Sequence, residues 1–258
     1  MRYPTASLHS RVSGMPVFTV SDVIIPRETS ICITGHRERS IVPYRGDPEL
    51  KDATIMAVRL VLSRYINVVM DRGYNIMING LAEGTDLWAA DYCLRRKRFA
   101  KTKLIGVMPF IRHSDFLYGE NLNILRKVER FADALVTTCD IPEMRYGTHA
   151  APYTSSTLYQ TRNYYMVDNS SVVVAFFNGN YRSGTGQTIR YAQRCNKPVF
   201  SFSADDVYAI MDEAGTEKSN IIGKLDDIKF AVPRPESPQS IIPQWQNISR
   251  GNSNKIIL

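Results

Sequence analysis

The chain has 258 residues, of which 44% are hydrophobic, 22% charged and 10% aromatic. That composition excludes a disordered, collagen-like or membrane-embedded chain, and the length suits one large domain or one domain with extensions. A net charge of +7 and a pI near 9.2 favour anionic partners such as phosphates, nucleotides or nucleic acid.

Met1 to Val20 lacks the continuous apolar stretch of a secretory signal, and no apolar run approaches the ~18 residues of a membrane helix, so the reading is a cytoplasmic protein with no membrane partner. Val17 to Val20 and Val23 to Ile25 can add an edge hairpin. Ser30 to Thr34 predicts a buried strand ending at Gly35, and Pro48 to Arg72 a helix stopped at Gly73. Tyr74 to Asn79 is the second strand. Thr85 to Lys97 reads as a helix with Thr85 as N-cap and Asp86 near its positive end. The basic cluster Arg95, Arg96, Lys97, Arg98, Lys101 and Lys103 suits the C-terminus of that helix, where cations meet the last carbonyls. Strands follow at Lys103 to Met108, Asp133 to Thr138, Ser171 to Phe176 and Pro198 to Phe202. Helices are expected at Glu120 to Phe131, Tyr159 to Asp168 and Thr185 to Arg194. Cys32, Cys93, Cys139 and Cys195 form no CxxC pair and lie in or beside apolar segments, as reduced core residues do.

Apolar strands alternating with helices predict an α/β protein, a Rossmann-like three-layer fold with a mainly parallel sheet flanked by helices. Residues 30–202 form that domain, 1–29 an N-terminal extension, and 203–258 a partly irregular C-terminal extension marked by Pro233, Pro235, Pro238 and Pro243.

Ligands of an open parallel sheet bind beyond the carboxyl ends of its strands. Four segments fall there or feed into it. Thr34-Gly35-His36-Arg37 pairs a glycine with a planar cation suited to phosphate. Asn79-Gly80-Leu81-Ala82-Glu83-Gly84-Thr85-Asp86 has two glycines at a helix start, with carboxylates that prefer sugar hydroxyls, a water or a cation. Asn178 to Gly186 is a second phosphate-cradle candidate, and Tyr159 to Asn163 with Asp168 adds polar groups from a helix. Each glycine loop alone is as readily a plain tight turn, His36 a hydrogen-bonded loop histidine, and Tyr146, Tyr153, Tyr159, Tyr164 and Tyr165 packing residues, of which one or two near the rim can stack on an adenine. GxGxxG, GxxxxGK[ST], GxSxG and metal-ligand spacings are all missing, which sets aside a standard dehydrogenase, a P-loop nucleotidase and a nucleophile-elbow hydrolase.

These segments resemble the YpsA-like branch of the SLOG superfamily, which also holds the DNA-processing protein DprA and the LOG-type cytokinin-activating enzymes. Ile33 to Arg37 is similar to the family's TGHR-like start, and Asn79 to Ala90 to its SGMAxGxDxWAAE-like loop and helix. Gln160 to Asp168 is similar to QxRNxxMVD, and Ser183 to Ala192 to the GGTxxTVxYA phosphate loop. The resemblance implies a nucleotide-derived ligand, such as ADP-ribose or NAD, held by Thr34, Gly35, His36, Arg37, Gly80, Gly84, Thr85, Arg162, Asn163, Asp168, Gly184, Thr185 and Gly186. Three positions depart from it: Ser183 replaces a glycine, Asn79 a serine, and Glu83 a residue that is usually apolar or small. Thr188 also stands where LOG-type enzymes carry a glutamate, which leaves Glu83 and Asp86 as the carboxylates for any catalysis.

The expected function is nucleotide binding as a sensor or scaffold. The alternatives are N-glycosidic cleavage of a nucleoside phosphate and single-stranded DNA binding as in DprA, with homo-oligomerisation left open. Ile141 to Ser155 is expected to form a flap over the pocket.

Overall fold

Each central strand carries apolar residues on both faces, so each must be covered on both sides. The computed structural model, which describes residues 8–41, 48–144, 155–236 and 256–258, shows how. Strand β1 (Leu8–His9) forms a hairpin with β2 (Pro16–Thr19), and β3 (Val23–Ile24) follows. The Rossmann-like core then runs β4 (Ser30–Gly35), α1 (Glu38–Ile41), α2 (Pro48–Met70), β5 (Ile76–Asn79), α3 (Thr85–Arg96) and β6 (Lys103–Met108). A short 3₁₀ turn (Ile111–Phe116) leads to α4 (Gly119–Phe131), β7 (Ala134–Thr137), α5 (Ser155–Asp168) and β8 (Val172–Phe176). Next come α6 (Gly184–Arg194), β9 (Val199–Phe202), α7 (Ala204–Ala214), α8 (Lys218–Leu225) and β10 (Ile256–Ile257).

The eight-stranded sheet has the order β1-β2-β7-β6-β5-β4-β8-β9. Every pairing in it is parallel except β1 with β2. Its register alternates cleanly. Ile31, Ile33, Met77, Leu104, Leu135, Val172 and Val174 belong to the core shared with α2 and α3. Cys32, Ile78, Ile105, Val107, Val136 and Val173 belong to the opposite core with Met166, Val167 and Ala192 of α5 and α6. This is the period-two alternation of a pleated strand placed between two helical layers.

Helix α2 is long and apolar enough, by length and composition, to cross a bilayer. Ala57, Val58, Leu62 and Ile66 nevertheless lie fully buried against the sheet, as in a core helix. An edge hairpin does form, with a different partner from the one expected: β2 pairs with β1, whereas β3 joins β10 in a separate two-stranded sheet. Beyond Ser203 the chain builds two helices, and Phe230 stacks on Phe200 and packs at a tilt against Tyr65. Cys32, Cys93 and Cys139 are buried free thiols and Cys195 is half-buried.

The chain steps outward from β4 through β5 and β6 to β7, then returns to place β8 on the other side of β4. The strand order therefore reverses between β4 and β8. Strands diverge into a crevice at such a switch point.

Candidate functional site

A crevice of about 320 Å³ opens at the carboxyl ends of β4 and β8. Thr34, Gly35, His36 and Arg37 line it from the end of β4 and the loop after it, Ala82 from the loop after β5, Asp86 from the start of α3, Tyr159, Arg162 and Asn163 from α5, and Ser183, Gly184 and Thr185 from the start of α6. Nine of the residues singled out from sequence thus meet in one place: Thr34, Gly35, His36, Arg37, Asp86, Arg162, Asn163, Gly184 and Thr185. Its volume falls at the lower end of the ~300–1,000 Å³ typical of ligand pockets.

The two glycine loops play different parts. At the loop before α3, space is already filled. A Cβ on Gly35 would lie 2.4 Å from the Thr85 side chain, and one on Gly84 would lie 2.7 Å from the Glu38 amide nitrogen. Gly84 also has a φ of +81°, which an L side chain rarely adopts. Thr85 donates its hydroxyl to the His36 carbonyl at 2.9 Å, and its backbone amide points to the same oxygen. Asn79 donates to the Asp86 carbonyl and accepts from the Leu81 amide, holding Leu81 at a φ of +56°. Gly35, Gly84 and Thr85 therefore lock the β4 and β5 loops together, and the first amide of α3 is taken by the His36 carbonyl.

The start of α6 is different. Ser183 caps it by accepting from the Gly186 amide at 3.0 Å, and the Gln187 amide bonds the Ser183 carbonyl. The amides of Gly184 and Thr185 have no partner among the described residues, as expected for the orphan donors of a first helical turn. A Cβ on Gly184 would meet nothing within 4 Å, whereas one on Gly186 would strike Asn180 and Tyr181. Gly184 thus faces open crevice, and Gly186 packs the loop behind it.

Electrostatics complete the site. Arg162 is only 4% exposed. Its guanidinium donates to the Gly80 carbonyl, lies 3.8 Å from Asp86, and sits 5.7 Å from the Tyr159 ring centroid. Gly80 leaves the room for it, since a Cβ there would overlap the guanidinium. Burial pushes the Asp86 carboxyl up to about 6, while Arg162, the Ala82 amide and Arg37 pull it back down. Burial likewise works against the charge on Arg162, which Asp86 supports. The pair neutralises itself. Arg37 is exposed and has no ion-pair partner among the described residues, so the crevice keeps one net positive charge. His36 accepts from the Asn178 amide at 3.0 Å and stacks on Phe177, and burial lowers its pKa, so it is a neutral strut between the β4 and β8 loops.

Other expected residues fall elsewhere. Glu83 and Gly80 line a smaller recess beside the crevice. Asp168 lies at the C-terminus of α5, where it accepts a hydrogen bond from Tyr191 at 2.8 Å. That position is on the opposite rim, because six residues of helix displace it from Arg162 by about 9 Å. Thr188 donates its hydroxyl to the Gly184 carbonyl inside α6. The expected flap falls largely on residues 145–154, outside the described residues.

His113 is not among the residues that the sequence singles out, whereas Tyr159 opens the fourth candidate segment and lines the crevice. A larger groove of about 760 Å³ runs between α2, α3 and α4. Several of its charges already pair: Arg59 and Arg95 with Asp91, Arg59 with Glu120, and Lys51 with Glu38.

Residues 31–207 match the model of the YspA SLOG family. The chain belongs to that family. The match spans β4 to α7 and so contains every loop of the crevice. Among relatives of this YspA SLOG protein, the UPF0398 protein OB1025 of Oceanobacillus iheyensis is 19% identical over 71% of this chain and 93% of its own length. The uncharacterized SPbeta prophage-derived protein YoqJ of Bacillus subtilis is 26% identical over 52% of this chain and 82% of its own. Among solved structures, DNA processing protein A (DprA) from Streptococcus pneumoniae aligns over 80% of this chain and 63% of its own, with a TM-score of 0.42 and 17% identity.

Proposed function

We propose that the protein binds a phosphate-bearing nucleotide in the β4–β8 crevice, as a sensor or scaffold. The observation that carries this reading is the open first turn of α6. Two amides without a partner among the described residues, and the positive end of the helix dipole, face a crevice that also holds Arg37, which has no ion-pair partner among those residues. Phosphate sits at Gly184 and Thr185, and longer ligands such as ADP-ribose or NAD extend over the rim past Tyr159 and Asn163. Titration calorimetry with AMP, ADP-ribose and NAD tests the reading directly.

Gly184→Val is the sharpest control. The added side chain enters open space, so the fold survives while the phosphate position is blocked, and binding should fall at least tenfold with an unchanged melting temperature. Parent-like binding in a folded Gly184→Val protein would move the site elsewhere. Arg37→Ala should weaken binding by roughly tenfold or more, because a charge-assisted hydrogen bond contributes ~1.5–3 kcal/mol. An Arg37→Ala protein that titrates like the parent would make Arg37 a surface cation.

Turnover is expected to be absent or very slow. Asp86 is committed to Arg162 and the Ala82 amide, and Thr188 to the helix backbone. Release of adenine from AMP or nicotinamide from NAD is the assay, and fast release that survives both Glu83→Gln and Asp86→Asn would overturn this assignment. The basic cluster offers little to nucleic acid at the crevice. It lies at the far end of α3, where Arg95 pairs with Asp91, Arg96 with Asp71 and Lys97 with Asp133. Nucleotide affinity should accordingly show only a shallow salt dependence, in contrast to the steep slope of a multi-phosphate contact.

A further inference from the structure

Beside the main crevice lies a recess of about 40 Å³, lined by His113 together with Arg37, Glu83 and Tyr159. Arg37, Ala82 and Tyr159 line both spaces, so the recess continues from the crevice. His113 comes from the 3₁₀ turn after β6 and is 6% exposed, yet among the described residues neither ring nitrogen makes a hydrogen bond of good geometry. A buried polar group left unpaired costs ~1–3 kcal/mol, and native structures leave few of them without a functional reason. Burial and the charge of Arg162 hold the ring neutral, against a smaller opposing pull from the Phe110 carbonyl and Asp115. A neutral imidazole offers one donor and one acceptor.

We infer that this recess is a hydroxyl-reading subsite, in which His113 and Glu83 take the vicinal diol of a pentose carried by the phosphate-bearing ligand. The inference rests on the nucleotide reading of the crevice and adds to it which part of the ligand is discriminated. Size supports it: at ~10–15 Å³ per enclosed water, the recess holds about three waters, enough for a pair of hydroxyls and too little for a base. So does chemistry. Glu83 only accepts, Arg37 only donates and His113 does each once, which complements groups that both donate and accept. A second phosphate would face the Glu83 carboxylate.

The test is titration of the full-length protein with inorganic phosphate, AMP, 2′-deoxy-AMP and 3′-deoxy-AMP. The parent should bind AMP about tenfold more tightly than at least one deoxy form, because a site built for a hydroxyl leaves its own polar groups unpaired when that hydroxyl is missing. In His113→Phe the preference should shrink to within about twofold, while affinity for inorganic phosphate stays at the parental value. His113→Gln, which keeps a donor and an acceptor at altered positions, serves if the phenylalanine protein does not fold, and should also lower the preference. Phosphate and AMP binding with no discrimination between AMP and either deoxy form would overturn the subsite alone, as would a folded His113→Phe protein that keeps the preference. If neither inorganic phosphate nor AMP binds, the nucleotide reading of the crevice fails and the subsite fails with it.

Discussion

Arg162→Ala should destabilise the protein by about 3–5 kcal/mol, the usual cost of removing one member of a buried ion pair. Sequence alone places this arginine as a ligand grip. The structure instead places it at 4% exposure beneath the rim, with its guanidinium donating to the Gly80 carbonyl and facing Asp86 at 3.8 Å. Truncation removes the cation that offsets the burial of Asp86, whose carboxyl already stands at about 6, and orphans the Gly80 carbonyl. It also leaves a guanidinium-sized void. At roughly 2–4 °C per kcal/mol for a chain of this size, the melting temperature should drop by about 10 °C. Urea unfolding at pH 7 measures the loss directly. Pairing Arg162→Met with Asp86→Asn should recover much of it, because the uncompensated charge is then gone. A loss under 1 kcal/mol in Arg162→Ala, accompanied by abolished nucleotide binding, would restore Arg162 to the role of ligand grip.

The same residue shows why some of the site was legible in the sequence and some was not. Strand positions were readable because burial on both faces forces continuous apolar runs such as Ile31-Cys32-Ile33 and Val172-Val173-Val174. The loops were readable because glycines cluster wherever backbone must approach closely. The reason for each glycine was not. Gly80 makes room for Arg162, 82 residues further along the chain, and Gly35 for Thr85, so their necessity depends on partners that only the folded chain supplies. Gly184, by contrast, faces open space, and nothing local distinguishes it from Gly186, which packs tightly against Tyr181.

Asp168 stands apart from the crevice for a geometric reason. Proximity in sequence to Arg162 suggested a shared site, but a helix carries its residues steadily along the sheet, from the crevice rim at Tyr159 to the opposite edge at Asp168. The pairing of β3 with β10 joins Val23 to Ile256 and has no local signature at all. His113 had none either. A lone histidine in a turn carries no periodicity, and it becomes noteworthy only once the fold buries both of its nitrogens beside Arg37 and Glu83.

That burial has a measurable consequence in acid. Replacing His113 with phenylalanine should make the protein progressively more stable relative to the parent as pH falls from 7, by about 3 kcal/mol at pH 4. The sign follows from linkage. The His113 pKa is lowered from 6.5 to about 4 in the folded protein, so between those values the unfolded chain binds the proton that the folded one refuses. Stability from this group is therefore full above pH 6.5 and drains away as pH falls toward 4. In the parent the loss is masked, because Asp86 shifts the other way, from 3.8 to about 6, and so favours the folded state over nearly the same window. His36, lowered by burial, adds to the His113 effect, and Glu129, raised by burial, adds to that of Asp86. The difference between variant and parent cancels contributions common to both and isolates His113, whose charged neighbours are Arg162 and Asp115. Urea midpoints measured for both proteins at pH 7, 5.5 and 4.5 would show it. A variant whose stability runs parallel to the parent's across that range would mean that the imidazole already finds a partner or solvent, and would remove the unpaired nitrogens from which the hydroxyl subsite is argued.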